Sequence, residues 1–341
     1  MHSAHEMTNP AVVASSAAGA SGPAPQSMVA SAPRYSQLRG LVKTLRPHQW
    51  VKNLFVLAPM FFHKDVFLST AQGPALNLTV TGRALAATGV FCLLAGAIYT
   101  INDLVDVDAD RIHPVKRLRP IASGQVSEPM ARGLATGLVL ASVGIAYLLA
   151  PMLAWVAALY LVENLAYSFK LKKIAFIDVS LIAAGFVLRV LAGGIATDVH
   201  VSGYLLACTA LLALYCGFGK RRHELALEGA GRHRTSLEAY TPRSLNGALA
   251  VTGTATALTY VAYTLDPSTR AAFNSEYLWL TAPFTVFGLV RFLFLVSGRA
   301  GRGVRAESPT QEMLRDVPFV LTLVIWTMVV VAIVYKLRPS A

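Results

Sequence analysis

The sequence predicts an all-α integral membrane protein with about nine transmembrane helices. Three observations carry that prediction. Charged residues make up only 14% of the 341 positions and hydrophobic residues 55%, whereas a soluble domain carries about 25% charged residues. Apolar runs of bilayer-spanning length recur along the chain. The basic residues gather in alternate loops, the pattern that sets orientation in a bilayer.

Residues 1–38 are rich in Ala, Ser, Pro and Gly and show no apolar periodicity. They lack the basic start and continuous apolar core of a signal peptide, so they read as a disordered cytoplasmic tail. Residues 39–341 form the transmembrane domain. Its first span, 50–66, is short. Spans follow at 84–102, 131–150 and 152–168, with Pro151 making a tight hairpin of the last two. Five more, at 176–196, 202–219, 246–265, 277–297 and 317–336, complete the set. Cys92, Cys208 and Cys216 fall within spans, where small apolar packing is a better reading than disulfides or metal ligation.

The net charge of +12 is unevenly placed. Arg34, Arg39, Lys43 and Arg46 precede the first span, and basic clusters follow the second, fourth, sixth and eighth, among them Arg232, Arg234, Arg299, Arg302 and Arg305. The alternate loops carry only Lys64, Arg83 and Arg270. This puts the N-terminus and every basic loop in the cytoplasm and, after nine spans, the C-terminus outside. Topology and anionic ligands account for the basic charge, so no nucleic-acid partner is called for.

The polar chemistry is densest where the second span ends, at Asn102-Asp103-Leu104-Val105-Asp106-Val107-Asp108-Ala109-Asp110-Arg111. At 100° per residue, Asn102, Asp103, Asp106 and Asp110 share one narrow arc and Asp108 points away. Acidic residues at i,i+4 repel one another. Four oxygen-bearing side chains on one arc at a membrane edge point to a cation, and hard ligands favour Mg²⁺ holding a diphosphate. The alternative is a solvated acidic loop.

Further polar blocks lie on the same side. In Arg46-Pro47-His48-Gln49-Trp50-Val51-Lys52-Asn53, Arg46 and Trp50 suit an interfacial anchor as well as a site, while the deeper Lys52 and Asn53 ask for a ligand. Tyr99 stands one turn before the acidic face. After it, Lys116, Arg117 and Arg119 could cover phosphate oxygens or simply set topology. Tyr167, Lys170, Lys172 and Lys173 close the fourth span. Arg189 lies inside the fifth, with Asp178 as its partner or as a ligand. Lys220 and Arg221 end the sixth. Residues 308–316 are read chiefly as a cap for the last helix. Gly193-Gly194 reads as close helix packing. No metal-spaced histidines, glycine-rich phosphate loop or nucleophile elbow is visible.

The pattern Asn102-Asp103-x-x-Asp106-x-x-x-Asp110 resembles the UbiA superfamily of intramembrane transferases. That resemblance implies a UbiA-like helical bundle with a cytoplasm-facing active-site cavity. Most members carry two acidic motifs, each helping Mg²⁺ hold an isoprenyl diphosphate. Here the second position, Tyr167 to Asp178, is basic and holds one carboxylate. The departure, together with Arg46 to Asn53, Asp110 to Arg117 and Leu188 to Gly194, resembles the decaprenyl-phosphate phosphoribosyltransferase branch over most of residues 40–336.

The branch implies transfer of 5-phosphoribose from 5-phosphoribosyl 1-diphosphate to a polyprenyl monophosphate in the inner (plasma) membrane, with Mg²⁺ as cofactor. By that resemblance Asn102 and Asp106 ligate the metal, and Asp103, Asp106 and Asp110 form the catalytic face. Lys52, Tyr99, Lys116 and Arg119 bind phosphoribosyl diphosphate. Tyr167, Lys172, Arg189, Lys220 and Arg221 stand near the lipid phosphate or the ribose 5-phosphate. A homo-oligomer is left open. The competing readings are a prenyltransferase joining an isoprenyl chain to an aromatic or haem acceptor, and an ion-coupled transporter. The first lacks its second carboxylate pair. The second should show broken mid-membrane helices in paired halves.

Overall fold

The computed structural model describes residues 34–62, 67–70, 73–227, 237–297 and 313–336. The expected tail lies outside the described residues up to 33, as do 308–312 and Arg232, Arg234, Arg299, Arg302 and Arg305. The first described helix begins at Arg34, five residues ahead of the expected domain start at 39.

Helix α1 spans Arg34–Leu45. Arg46 then turns the chain in a left-handed conformation, φ 50°, which is rare for a non-glycine residue. The expected first span begins as a 3₁₀ helix, Pro47–Leu57, and ends as a short α2, Ala58–Phe62. At about 2.0 Å per residue in the first part and 1.5 Å in the second, the segment reaches about 30 Å, the hydrocarbon thickness. A two-stranded hairpin, β1 Phe67–Thr70 and β2 Gly73–Leu76, follows; it pairs Phe67 with Leu76 and is the one departure from an all-α chain among the described residues.

Among the described residues, eight helical stretches are long and apolar enough to cross a membrane. They are α3 Leu78–Val105, α5 Glu128–Leu149, α6 Pro151–Phe169, α7 Ile177–Thr197, α8 Gly203–Leu227, α9 Pro242–Leu265, α11 Ala282–Val296 with the 3₁₀ turn before it, and α12 Val317–Val331 with the π-helical turn after it. The expected first span, 50–66, is not among these eight. Short α4 Val107–Ile112 continues α3 past Asp106, and α10 Pro267–Phe273 caps the opposite end.

Local chemistry sets the boundaries. Asn77 Oδ1 accepts the Val80 amide at 3.2 Å to start α3. Thr241 and Ser244 form a capping box with Pro242 in the first turn of α9. Asp316 Oδ1 accepts the Phe319 amide at 2.9 Å and caps α12, as the sequence suggests. Pro151 opens α6 one residue after Ala150 ends α5, giving the tight hairpin.

Helices α3 and α7 form the centre: 56% of each spanning window is buried, against 11% for the peripheral α12. Val56, Phe91, Leu94, Leu153, Tyr160 and Leu188 make one core, joining the 3₁₀ segment, α3, α6 and α7. A second core joins α8, α9 and α11 through Tyr215, Phe218, Leu245, Leu249 and Phe292. Gly193 lets the 3₁₀ segment lie directly on α7, because a Cβ there would sit 1.9 Å from the Val56 carbonyl oxygen. The Gly193-Gly194 pair is thus a packing device, as expected.

Candidate active site

Helices α3, α6, α7 and α8 bring their polar ends to one end of the bundle. At the end of α3 the acidic arc divides into two roles. Asp103 and Asp110 are both 2% exposed. Arg46 Nη2 donates to Asp103 Oδ1 at 2.5 Å, and Arg119 Nη1 reaches Asp103 Oδ1 at 3.1 Å and Asp110 Oδ2 at 2.6 Å. The Arg46 guanidinium also stacks over Tyr99, 5.0 Å from the ring centre. These two arginines clamp the inner carboxylates and hold the junction between α3 and α4.

Asn102 and Asp106 lie outside this clamp. Asn102 Oδ1 is buried, and no hydrogen-bond donor among the described residues reaches it. A buried acceptor without a partner is costly, typically about 1–3 kcal/mol, and asks for a ligand. The Asp106 side chain is 43% exposed, and its one ion pair among the described residues is with Lys172 Nζ, at 4.0 Å. Asp108 is 90% exposed and pairs with Arg111 at 3.0 Å, off the face, as helical spacing predicts.

Among the described residues no group of three or more His, Cys, Asp or Glu side chains could hold a metal ion. One carboxylate and one amide oxygen nevertheless suit Mg²⁺, which keeps waters and takes substrate phosphate oxygens as ligands instead of demanding a full protein cage. The residues present fit that ion.

Deeper in the bundle, Arg189 is 7% exposed. Its Nε donates to Asn53 Oδ1 at 2.8 Å, Nη1 to the Gly185 carbonyl at 2.9 Å and Nη2 to the Tyr160 hydroxyl at 2.5 Å. Lys52 lies within electrostatic reach of Arg189 and of Lys220.

The match to the UbiA prenyltransferase family model covers residues 56–306. The chain belongs to that family. It is 36% identical over 315 residues to a decaprenyl-phosphate phosphoribosyltransferase of Mycolicibacterium smegmatis, covering 89% of this chain and 95% of the relative. A protein of the same name from Corynebacterium glutamicum is 35% identical over 302 residues, 87% of each chain. In three dimensions this UbiA-family chain is similar to a UbiA homolog from Archaeoglobus fulgidus bound to GPP and Mg²⁺, with TM-score 0.62 and 17% identity over 86% of this chain and 99% of that one. That likeness establishes the fold, and the eight apolar helices among the described residues together with the family make it a multi-pass membrane protein.

One sequence assignment is corrected by the geometry. Arg189 does not pair with Asp178. Asp178, fully buried at the start of α7, forms an ion pair with Arg221 Nε at 2.8 Å and accepts a hydrogen bond from the Tyr240 hydroxyl at 2.7 Å. The reach of α7 sets this: eleven residues are three turns, about 16 Å along one helix, while the end of α8 lies alongside. Arg221, expected near the lipid phosphate, is 1% exposed and bound to Asp178 and Glu224. Burial and the Asp178 hydrogen bond raise the Tyr240 phenol above its ordinary range and keep it neutral.

Arg119 likewise spends its guanidinium on Asp103 and Asp110. Lys116 is exposed on the 3₁₀ turn Lys116–Leu118, Tyr167 is half-buried, and the Lys220 side chain is 52% exposed with Glu224 at 3.9 Å. Sequence reasoning gave Arg46 an open role and passed over Tyr160, Glu163 and Asn164. A lone glutamate inside an apolar span is itself a signal.

Proposed function

We propose that this chain transfers the 5-phosphoribosyl group of 5-phosphoribosyl 1-diphosphate to a polyprenyl monophosphate and releases diphosphate. The observation that carries this reading is Lys172, set 4.0 Å from Asp106 where a second carboxylate pair would otherwise stand. One acidic face suits one diphosphate. A lysine beside it suits a second anionic group, the phosphate of the acceptor. Relatives 35–36% identical over most of the chain bear the corresponding name, which supports the same reading.

Bound at Asn102 and Asp106, Mg²⁺ would stabilise negative charge on the departing diphosphate. Asp103 and Asp110, clamped by Arg46 and Arg119, fix the direction in which Asn102 and Asp106 point. Lys52, Lys116 and Tyr99 hold the donor's phosphates, with Lys220 supporting them. Lys172 and Tyr167 orient the lipid phosphate. As the anomeric C–O bond to diphosphate lengthens, its electron pair leaves with the diphosphate. An ionised oxygen of the lipid phosphate then attacks the electron-poor anomeric carbon. That oxygen carries no proton, so no general base is required. Arg221 serves the fold and not the substrates. The basic loops and the acidic end face the cytoplasm of a plasma (inner) membrane, where the phosphorylated sugar is available.

Membrane fractions supplied with radiolabelled phosphoribosyl diphosphate and a polyprenyl phosphate should yield a labelled lipid that depends on Mg²⁺. The parallel reaction, isoprenyl diphosphate with aromatic acceptors, should give no product. Robust prenylation with no labelled phosphoribosyl lipid would replace this reading with ordinary prenyl transfer.

A further inference from the structure

Glu163 sits inside α6, a helix long and apolar enough to cross the membrane. An ionisable side chain in such a place is costly and faces a cavity or a partner. Its protein partner is modest: Oε2 accepts one hydrogen bond, from Asn164 Nδ2 at 3.1 Å. A carboxylate offers about four acceptor sites, and this half-buried one keeps most of them. The nearby cation, Arg189, acts on it electrostatically but spends its own bonds on Asn53, Gly185 and Tyr160. Three of the five guanidinium N–H donors are used and two are spare.

The separation of these two groups is informative. A Cβ placed on Gly185 would lie 3.4 Å from Glu163 Oε2 and 3.4 Å from Arg189 Nη1. The two atoms are therefore at most about 7 Å apart, yet they lie beyond the 4.0 Å of an ion pair. One hydroxyl that donates to a carboxylate at about 2.7 Å and accepts from a guanidinium at about 2.9 Å bridges a gap of that size. Glycine at 185 keeps the wall between them free of a side chain. A chain of contacts links this pair to the acidic face. Tyr99 is in electrostatic contact with Arg189 and with Tyr160, and Arg46 covers Tyr99 while holding Asp103.

We propose that Glu163, together with Arg189, binds the vicinal 2- and 3-hydroxyls of the donor's ribose. The inference rests on the phosphoribosyl reading of the donor and adds its sugar-recognising residue. A hydrocarbon chain in this position would leave the carboxylate unsatisfied, whereas a diol supplies the two donors it lacks. The site therefore selects a hydroxylated donor against an apolar one.

The test is equilibrium binding of ribose 5-phosphate, 2-deoxyribose 5-phosphate and pyrophosphate to the purified full-length protein, with a melting curve for each variant. The wild type should prefer ribose 5-phosphate over the deoxy sugar by about 10-fold or more, the effect of one hydrogen bond to a charged group. Glu163→Gln preserves shape and the Asn164 contact, and Glu163→Leu removes all acceptors. Both should bring the two sugars to within about 3-fold while pyrophosphate affinity holds. A wild type that does not distinguish the sugars overturns the proposal. So do variants that keep the preference, or that lose all three ligands together, as a purely structural role would require. Selective ribose binding without formation of a phosphoribosyl lipid would instead sink the transfer reaction and leave this site standing.

Discussion

Replacing Arg221 with methionine separates a structural cation from a substrate cation. Asp178 and Arg221 are 0% and 1% exposed, and their contact is 2.8 Å. Without the arginine, Asp178 keeps only the Tyr240 hydroxyl, at 2.7 Å. Breaking a buried pair from one side leaves a charge uncompensated and costs about 3–5 kcal/mol. Glu224, 25% exposed, can turn to solvent and adds little. The single variant should therefore melt roughly 6 °C or more below the wild type. Adding Asp178→Asn removes the stranded charge and preserves an acceptor for Tyr240. The double variant should regain at least half of the loss, since neutral replacements of a buried pair are often tolerated. Melting curves of the four proteins in one detergent give the cycle. If Arg221→Met melts with the wild type and only lipid phosphate binding falls, the arginine is a ligand and the reasoning fails.

Three further outcomes follow from the same geometry. Asp106→Ala should abolish transfer with insertion intact, while Asp108→Ala, altering a side chain 90% exposed and off the face, should leave most of it. Equal loss in both would defeat the assignment. Lys116→Ala should raise the KM for phosphoribosyl diphosphate and Lys172→Ala the KM for the lipid, each by about 10- to 100-fold, the worth of a charge-assisted contact; crossed effects would swap the two subsites. Single cysteines beside Lys172 and Arg270 should label from opposite sides of the membrane, with the first cytoplasmic, and labelling of both from outside intact cells would overturn the topology.

Much of this was legible in the chain because it depends on neighbours in sequence. Span lengths, the Pro151 hairpin, the Asp316 cap and the split between Asp106 and Asp108 all follow from local spacing. What resisted reading depends on partners far apart along the chain. Asp178 had two cations to choose from, and only the placement of the end of α8 against the start of α7 decides for Arg221. The clamp on Asp103 comes from Arg46 and Arg119, which lie 57 residues before and 16 residues after it. Glu163 was hidden by averaging, because one charge barely lowers the apolar character of a whole span.

The 3₁₀ winding of the first segment carries a constraint of its own. Three residues per turn stack every third side chain in a straight column, and the buried positions Asn53 and Val56 stand in such a column. An ordinary α-helix over the same residues would be about 5 Å shorter and would fan that column around the axis by about 60° per step. Asn53 would then swing away from the Arg189 guanidinium it now meets at 2.8 Å. Winding pitch thus acts as a gauge, keeping membrane reach and the seating of a deep arginine in step. A family member that relaxed this stretch into a regular helix would need a longer segment and a different companion for that arginine.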